Sequence, residues 1–225
     1  LWPLHAIPPE IRAVPVDAIP AAAAAPAWPV DGSAGISVVG IPGTLSDSTA
    51  QLPIASITKV ITCLLVLEEL PLSPGEQGPS YSFTEADADE YARYLGNDES
   101  ALQLPLGGSL TQYQLMQGIL IGSANNYADR LAGSLWPDNA VFARAAADWL
   151  TLNGIEGMTI VNPSGMDPRN TATHDALIKV AAKALTNPVV AEIVRTQGVD
   201  LPGAGWVENT NEVLATLASR ALESA

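Results

Sequence analysis

With 225 residues, 48% of them apolar and 15% charged, the chain suits one substantial globular domain or two small lobes with a real core. Its formal charge of −14 argues against a nucleic-acid or anionic-membrane partner. No run approaches about 18 uninterrupted apolar residues, so no transmembrane segment is expected; no basic stretch followed by an apolar one opens the chain, so any signal peptide is expected to have been left off.

Residues 1–30 carry seven prolines and a five-alanine run, which reads as an extended lead-in or linker, pinned to the domain by Trp2 and Trp28. The domain proper is expected over 31–225. "GISVVGIPGTLSDSTAQLPI" alternates β-branched residues with Gly-Pro-Gly punctuation and predicts a strand, a turn and a return. A helix is expected from about Ala55 to Leu70, stopped by Pro71 and Pro74. Residues 72–110 are polar and broken, with a short acidic helix in "TEADADEYARYL" whose charges form a solvated face. "LTQYQLMQGILIG" predicts an amphipathic helix with Leu115, Ile119 and Leu120 on one face and Met116 beside them. A break at Gly122-Ser123 precedes helices in "NNYADRLAGSLW" and "DNAVFARAAADWLTLNG", the latter ended by Asn153-Gly154. "NPSGMDPRNTATH" is a turn-rich loop, "DALIKVAAKALT" a helix stopping before Asn187-Pro188, and "VVAEIVRTQGVDLPGAGWVENTNEVL" a return to strands.

Cys63, alone of its kind, lies in "VITCLLVL" and reads as a small buried hydrophobe. His5 and His174 are the only histidines, so no zinc ligand set is apparent and no metal is expected. Neither a Walker loop nor G-x-G-x-x-G occurs, and no cofactor is expected.

Two constellations carry chemistry. In "PIASITKVITCLLVLEEL" Ser56 and Lys59 stand three apart, so a helix puts them on one face, with unsatisfied backbone N–H groups at its start to stabilise an oxyanion. The competing reading is a serine N-cap and a snorkelling surface lysine. A catalytic Lys59 must be neutral near pH 7, which takes roughly 4 kcal/mol away from a free lysine's affinity for its proton. A helix terminus supplies about 1 kcal/mol, so the rest requires burial or a second cation. In "ILIGSANNYADRLA" Ser123 and Asn125 occupy a helix-to-helix break. There a hydroxyl can relay a proton and an amide can hold a carbonyl or orient a lysine; alone they read as an ordinary turn.

Together, Ser56-Ile57-Thr58-Lys59 and Ser123-Ala124-Asn125, 67 residues apart, resemble the motifs of the D-alanyl-D-alanine carboxypeptidases, the low-molecular-weight penicillin-binding proteins. The similarity runs from about Gly35 to Leu214. It implies an α/β penicillin-binding/β-lactamase-like fold: a sheet flanked by helices, plus a helical lobe at about 71–170. It further implies Ser56 as nucleophile, Lys59 as base, Ser123 in proton transfer and Asn125 in substrate binding. The implied substrate is a peptidoglycan stem peptide, with β-lactams as acylating mimics, and the implied location is extracytoplasmic.

The family's third motif, Lys-Thr-Gly on a strand, is absent from these 225 residues, which end in the helix-prone "ATLASRALESA". Three explanations follow: residues outside this sequence, a relative that binds without turnover, or Arg195 or Arg220 in place of the missing cation. Two other hydrolase readings are weaker. His174-Asp175 lacks a G-x-S-x-G partner and reads as a helix start capped by Thr171 or Thr173. A β-lactamase-type deacylation would have only Asp167 in the loop "NPSGMDPRN". The rival from another class is a non-catalytic cell-wall binding or scaffolding module that keeps the cleft.

Overall fold

The computed structural model describes residues 26–211. Most of the lead-in, with Trp2, and the alanine-rich end, with Arg220, lie outside the described residues; Trp28 is half-buried. The chain opens with β1 (Gly35–Ile36) and β2 (Leu45–Ser46), an antiparallel hairpin where the strand, turn and return were expected. Next come β3 (Leu52–Pro53), a single 3-10 turn at Ala55–Ile57, and α1 (Thr58–Glu69). The predicted helix thus starts with a tighter turn that carries Ser56.

β4 (Ser80–Ser82), α2 (Glu85–Gly96) and β5 (Ser109–Thr111) follow, then α3 (Gln112–Ile121), α4 (Asn125–Gly133) and α5 (Asn139–Leu152). The last third holds β6 (Met158–Thr159), β7 (Thr171–Ala172), α6 (His174–Thr186), α7 (Pro188–Val194), β8 (Gly198–Leu201) and β9 (Gly205–Glu208). The strands pair antiparallel in four small sheets: β1-β2, β3-β7-β6, β4-β5 and β8-β9.

Local chemistry explains the boundaries. Thr111 caps α3, its Oγ1 accepting from Gln114 N at 3.1 Å while Gln114 Oε1 accepts from Thr111 N at 2.9 Å. Thr173, one of the two expected caps, accepts from Ala176 N at 3.3 Å at the start of α6. One boundary differs from expectation. Asn187-Pro188 ends α6 but also begins α7, so "VVAEIV" is helical and the strands return only at Gly198. Asn187 Oδ1 accepts from Val189 N and Val190 N at 3.0 and 3.1 Å, and Pro188 fills the first helical position, where its missing N–H is no loss.

α1 is the axis of the core. Thr58, Lys59 and Ile61 through Leu67 are all buried, so it is enclosed on nearly every side. It packs on α3, α4, α5 and α6. Cys63 is fully buried within it, as its apolar setting implied. α3 and α4 approach so closely that a Cβ on Gly118 would stand 2.4 Å from the Tyr127 ring. That contact fixes the break between the two helices, where Ser123 and Asn125 lie. Gly118→Ala is therefore expected to force the helices apart and to destabilise the protein by about 1–3 kcal/mol. Urea unfolding measures this; an unchanged midpoint would show that the interface is slack.

Candidate active site

Ser56 is exposed on its 3-10 turn, whereas Lys59, one turn further on, is 1% exposed. The Lys59 ammonium donates to Ser56 Oγ at 2.9 Å and to the Ser164 carbonyl at 2.9 Å. A buried amine thus stands in direct contact with the hydroxyl of a solvent-exposed serine. The residue before the serine, Ala55, has φ +44°, a left-handed conformation that costs a non-glycine residue about 1 kcal/mol or more. Of the turn's amides, Ile57 N is already engaged with Ile54 O at 3.1 Å.

The loop 162–170 holds this geometry from above. Asn170 Oδ1 accepts from Val161 N at 2.6 Å and Asn162 N at 3.3 Å, and Asn170 O accepts from Ile54 N at 3.0 Å. Thr62 Oγ1 donates to Pro163 O at 2.7 Å, tying the loop to α1. At Gly165, with φ +85°, a Cβ would lie 1.9 Å from the Ala55 carbonyl oxygen, so only glycine lets the loop sit on the serine turn. The Ser164 carbonyl is thereby aimed at Lys59.

Burial lowers the Lys59 pKa from 10.5 to about 8, opposed by Asp129, Cys63 and Glu99. The Cys63 thiol is itself pushed up by burial, so it is uncharged near neutral pH and leaves the two carboxylates as the opposing charges. Among the described residues, burial is what loosens the hold of the amine on its proton. Asp129 is raised in turn by burial, while a hydrogen bond from the Tyr94 hydroxyl pulls it the other way.

Ser123 lies in the break with φ +55° and is half-buried; among the described residues no hydrogen bond joins it to Ser56 or Lys59. Asn125 opens α4 and is 1% exposed. Its Nδ2 donates to Glu99 Oε2 at 3.2 Å, and its buried Oδ1 has no partner among the described residues. The structure therefore brings Ser56 and Lys59 into contact, while Asn125 bonds to Glu99, one of the carboxylates whose charge acts on Lys59.

Sequence reasoning missed Glu99, Asp129 and the Ser164 carbonyl. Asp129 was open to discovery, because it stands four residues after Asn125 on one helical face. Glu99 and Ser164 lie in irregular segments whose placement has no periodic signal.

The alternative candidates stand elsewhere. His174 contacts the Ser48 carbonyl at 3.1 Å. Asp167 accepts from Arg169 Nε at 2.9 Å, and that guanidinium holds its carboxyl down at about 2, which suits an ion pair and not a base. Arg195 is exposed at the end of α7. Among the described residues no group of three or more His, Cys, Asp or Glu is arranged to hold a metal ion, and no helix is long and apolar enough to cross a membrane.

Comparison with known proteins gives the family and the fold. The family model described as D-alanyl-D-alanine carboxypeptidase matches residues 44–219. D-alanyl-D-alanine carboxypeptidase DacB2 of Mycobacterium tuberculosis is 30% identical over 176 residues, which cover 75% of this chain and 55% of that protein. A solved D-alanyl-D-alanine carboxypeptidase from Mycobacterium tuberculosis H37Rv superposes with a TM-score of 0.64 at 24% identity, covering 76% of this chain and 62% of that one. The Streptomyces K15 DD-transpeptidase gives 0.62 at 21%, covering 74% and 67%. The chain thus spans little more than half the length of the curated relative, and the structural likenesses give a penicillin-binding, DD-peptidase-type fold of mixed α/β class. On the family match over residues 44–219, this chain belongs to the D-alanyl-D-alanine carboxypeptidase family.

Proposed function

We propose that the chain carries the acylation centre of a serine-type D-alanyl-D-alanine carboxypeptidase acting on peptidoglycan stem peptides. The observation that carries this reading is the buried Lys59 Nζ, 2.9 Å from the Oγ of an exposed serine. Once Lys59 is neutral, the same contact reverses: the Ser56 hydroxyl donates and the amine accepts. Ser56 Oγ attacks the carbonyl of the penultimate D-alanine, and Lys59 takes the proton. The amide bond breaks, D-alanine leaves with a proton, and water hydrolyses the acyl-serine. Ser123 assists proton transfer from the helix break, and Asn125 positions the peptide. A β-lactam offers a strained amide at the same place and acylates Ser56. Because the polymer is built outside the cytoplasmic membrane, the site works extracytoplasmically.

A second reading has one observation in its favour. No Lys-Thr-Gly occurs in these 225 residues, and the charges that act on Lys59 are carboxylates. A scaffold that keeps the cleft and binds the wall without turnover fits that pattern.

Fluorescent penicillin separates the two. The carboxypeptidase reading expects covalent labelling of the folded protein, lost in Ser56→Ala and slowed by about a hundredfold or more in Lys59→Ala with the fold intact. A folded wild-type protein that is never labelled supports the scaffold.

Acylation should also follow the neutral fraction of Lys59. Its rate is expected to rise about tenfold per pH unit up to roughly pH 8 and then to level off. Stopped-flow acylation between about pH 6 and 10 measures this. A flat profile would remove Lys59 as the base.

A further inference from the structure

A cavity of about 330 Å³ opens between α2, α4, the start of α5 and the Asn162–Pro163 segment. Its carboxylates are Glu90, Asp129 and Asp138, and two of them are engaged. Glu90 pairs with Arg93 at 2.9 Å, and Asp138 Oδ1 caps α5 by accepting from Val141 N at 2.9 Å. Asp129 differs. Its Oδ2 accepts from the Tyr94 hydroxyl, and among the described residues nothing bonds its Oδ1. No described cation forms an ion pair with it either, although burial raises its affinity for a proton.

A partly dry carboxylate with one oxygen free is a site for a cation. The walls restrict which cation. A metal ion needs several protein ligands, and among the described residues no group of three or more His, Cys, Asp or Glu is arranged to hold one. The volume far exceeds the roughly 30 Å³ of one water and falls within the range of small-molecule sites. Trp136 and Phe142, packed edge to face with ring centroids 5.3 Å apart, give the cavity an apolar side. A cationic head on a short apolar stem suits both walls.

The geometry points to a binding site for an organic ammonium group in this cavity, with Asp129 as its counter-charge and the Trp136–Phe142 pair beside its stem. The site borders the acylation centre. Pro163 O accepts from Thr62 Oγ1 at 2.7 Å, and the next residue, Ser164, turns its carbonyl to Lys59. The charged and titratable groups that act on Lys59 are Asp129, Cys63 and Glu99; those that act on Asp129 are Tyr94, Glu90, Lys59 and Arg93. An ammonium on Asp129 therefore offsets one of the two carboxylates that hold the proton on Lys59. That consequence rests on the carboxypeptidase reading; the binding itself does not. A stem peptide with a free side-chain amine offers the required group, and so does a small free amine.

The probe is n-butylammonium chloride, titrated at constant ionic strength. In a nitrogen–proton NMR spectrum of the wild-type protein it is expected to shift the Trp136 indole N–H and the Gly133 amide saturably, with a dissociation constant of about a millimolar. The uncharged n-butanol is expected to shift neither. Asp129→Asn is expected to weaken binding by about tenfold or more, the size of a lost charged hydrogen bond. No saturation in wild type, equal binding of n-butanol, or undiminished binding by Asp129→Asn overturns the site, and the first two results need no variant.

Two further arms concern the chemistry. In penicillin acylation, saturating n-butylammonium is expected to move the midpoint of the wild-type pH profile down, and an unmoved midpoint overturns the link to Lys59. An acyl-lysyl-D-alanyl-D-alanine peptide with a free side-chain amine is then compared with its side-chain-acetylated form. A lower KM for the free amine, lost in Asp129→Asn, makes the stem peptide the source of the ammonium; equal KM values overturn that source in favour of a separate amine. If wild type is never acylated, the carboxypeptidase reading falls, and the NMR titration still decides the cavity.

Discussion

Withdrawal of one amine from water is the constraint on which the rest of the structure turns. Lys59 is enclosed on α1 and offered two neutral oxygens, Ser56 Oγ and the Ser164 carbonyl, each at 2.9 Å. Neither can match the hydration of an ammonium, so the proton is held loosely and the pKa falls to about 8. The fold carries a penalty for this. The unfolded chain binds that proton more tightly than the folded one, so the contribution of this group to stability rises with pH between about 8 and 10.5. Below about pH 8 the protein is less stable than it would be with an ordinary lysine there. The proposed role of Ser56 as nucleophile gives that loss a purpose.

The surrounding architecture serves to keep the amine dry and aimed. α1 is buried on nearly all sides because α3, α4, α5 and α6 close around it. The 162–170 loop closes the remaining side, and it reaches Ala55 only because position 165 is glycine. Among the described residues, Ala55, Asp98 and Ser123 are the non-glycine residues held in the left-handed region, and Ala55 and Ser123 flank the two motifs. Glu99 and Asp129 work against the burial of Lys59 by favouring its charged form. A site with a midpoint near 8 is therefore a balance: desolvation pushes the proton off, and two acidic neighbours hold it on.

Much of this was legible from residue order. The Ser56–Lys59 pair followed from helical spacing, and the α1, α3, α4, α5 and α6 spans followed from apolar periodicity and turn residues. The α7 segment was misread as strand because "VVAEIV" is rich in β-branched residues, and the Asn187 cap with Pro188 outweighs that propensity. Ser123 was legible as part of a motif, but its half-buried position in the break, without a hydrogen bond to Ser56 or Lys59 among the described residues, was not. Glu99 and the Ser164 carbonyl were out of reach for a further reason: their roles depend on long-range folding of irregular segments, and a backbone carbonyl leaves no trace in residue identity. Residue order left the source of the lysine's altered affinity open between burial and a second cation; among the described residues burial lowers it and the charged neighbours oppose it.

The central claim concerns one proton on one nitrogen, and it can be observed directly. Selective isotope labelling of lysine side chains, with Lys59→Arg to assign the resonance, lets the Lys59 ε-carbon and ζ-nitrogen be followed through an NMR pH titration of the folded protein. The account predicts a midpoint near 8, well apart from the other lysines. A midpoint at the ordinary 10.5 would show that Lys59 keeps its proton at working pH, and would contradict its assignment as the base for Ser56.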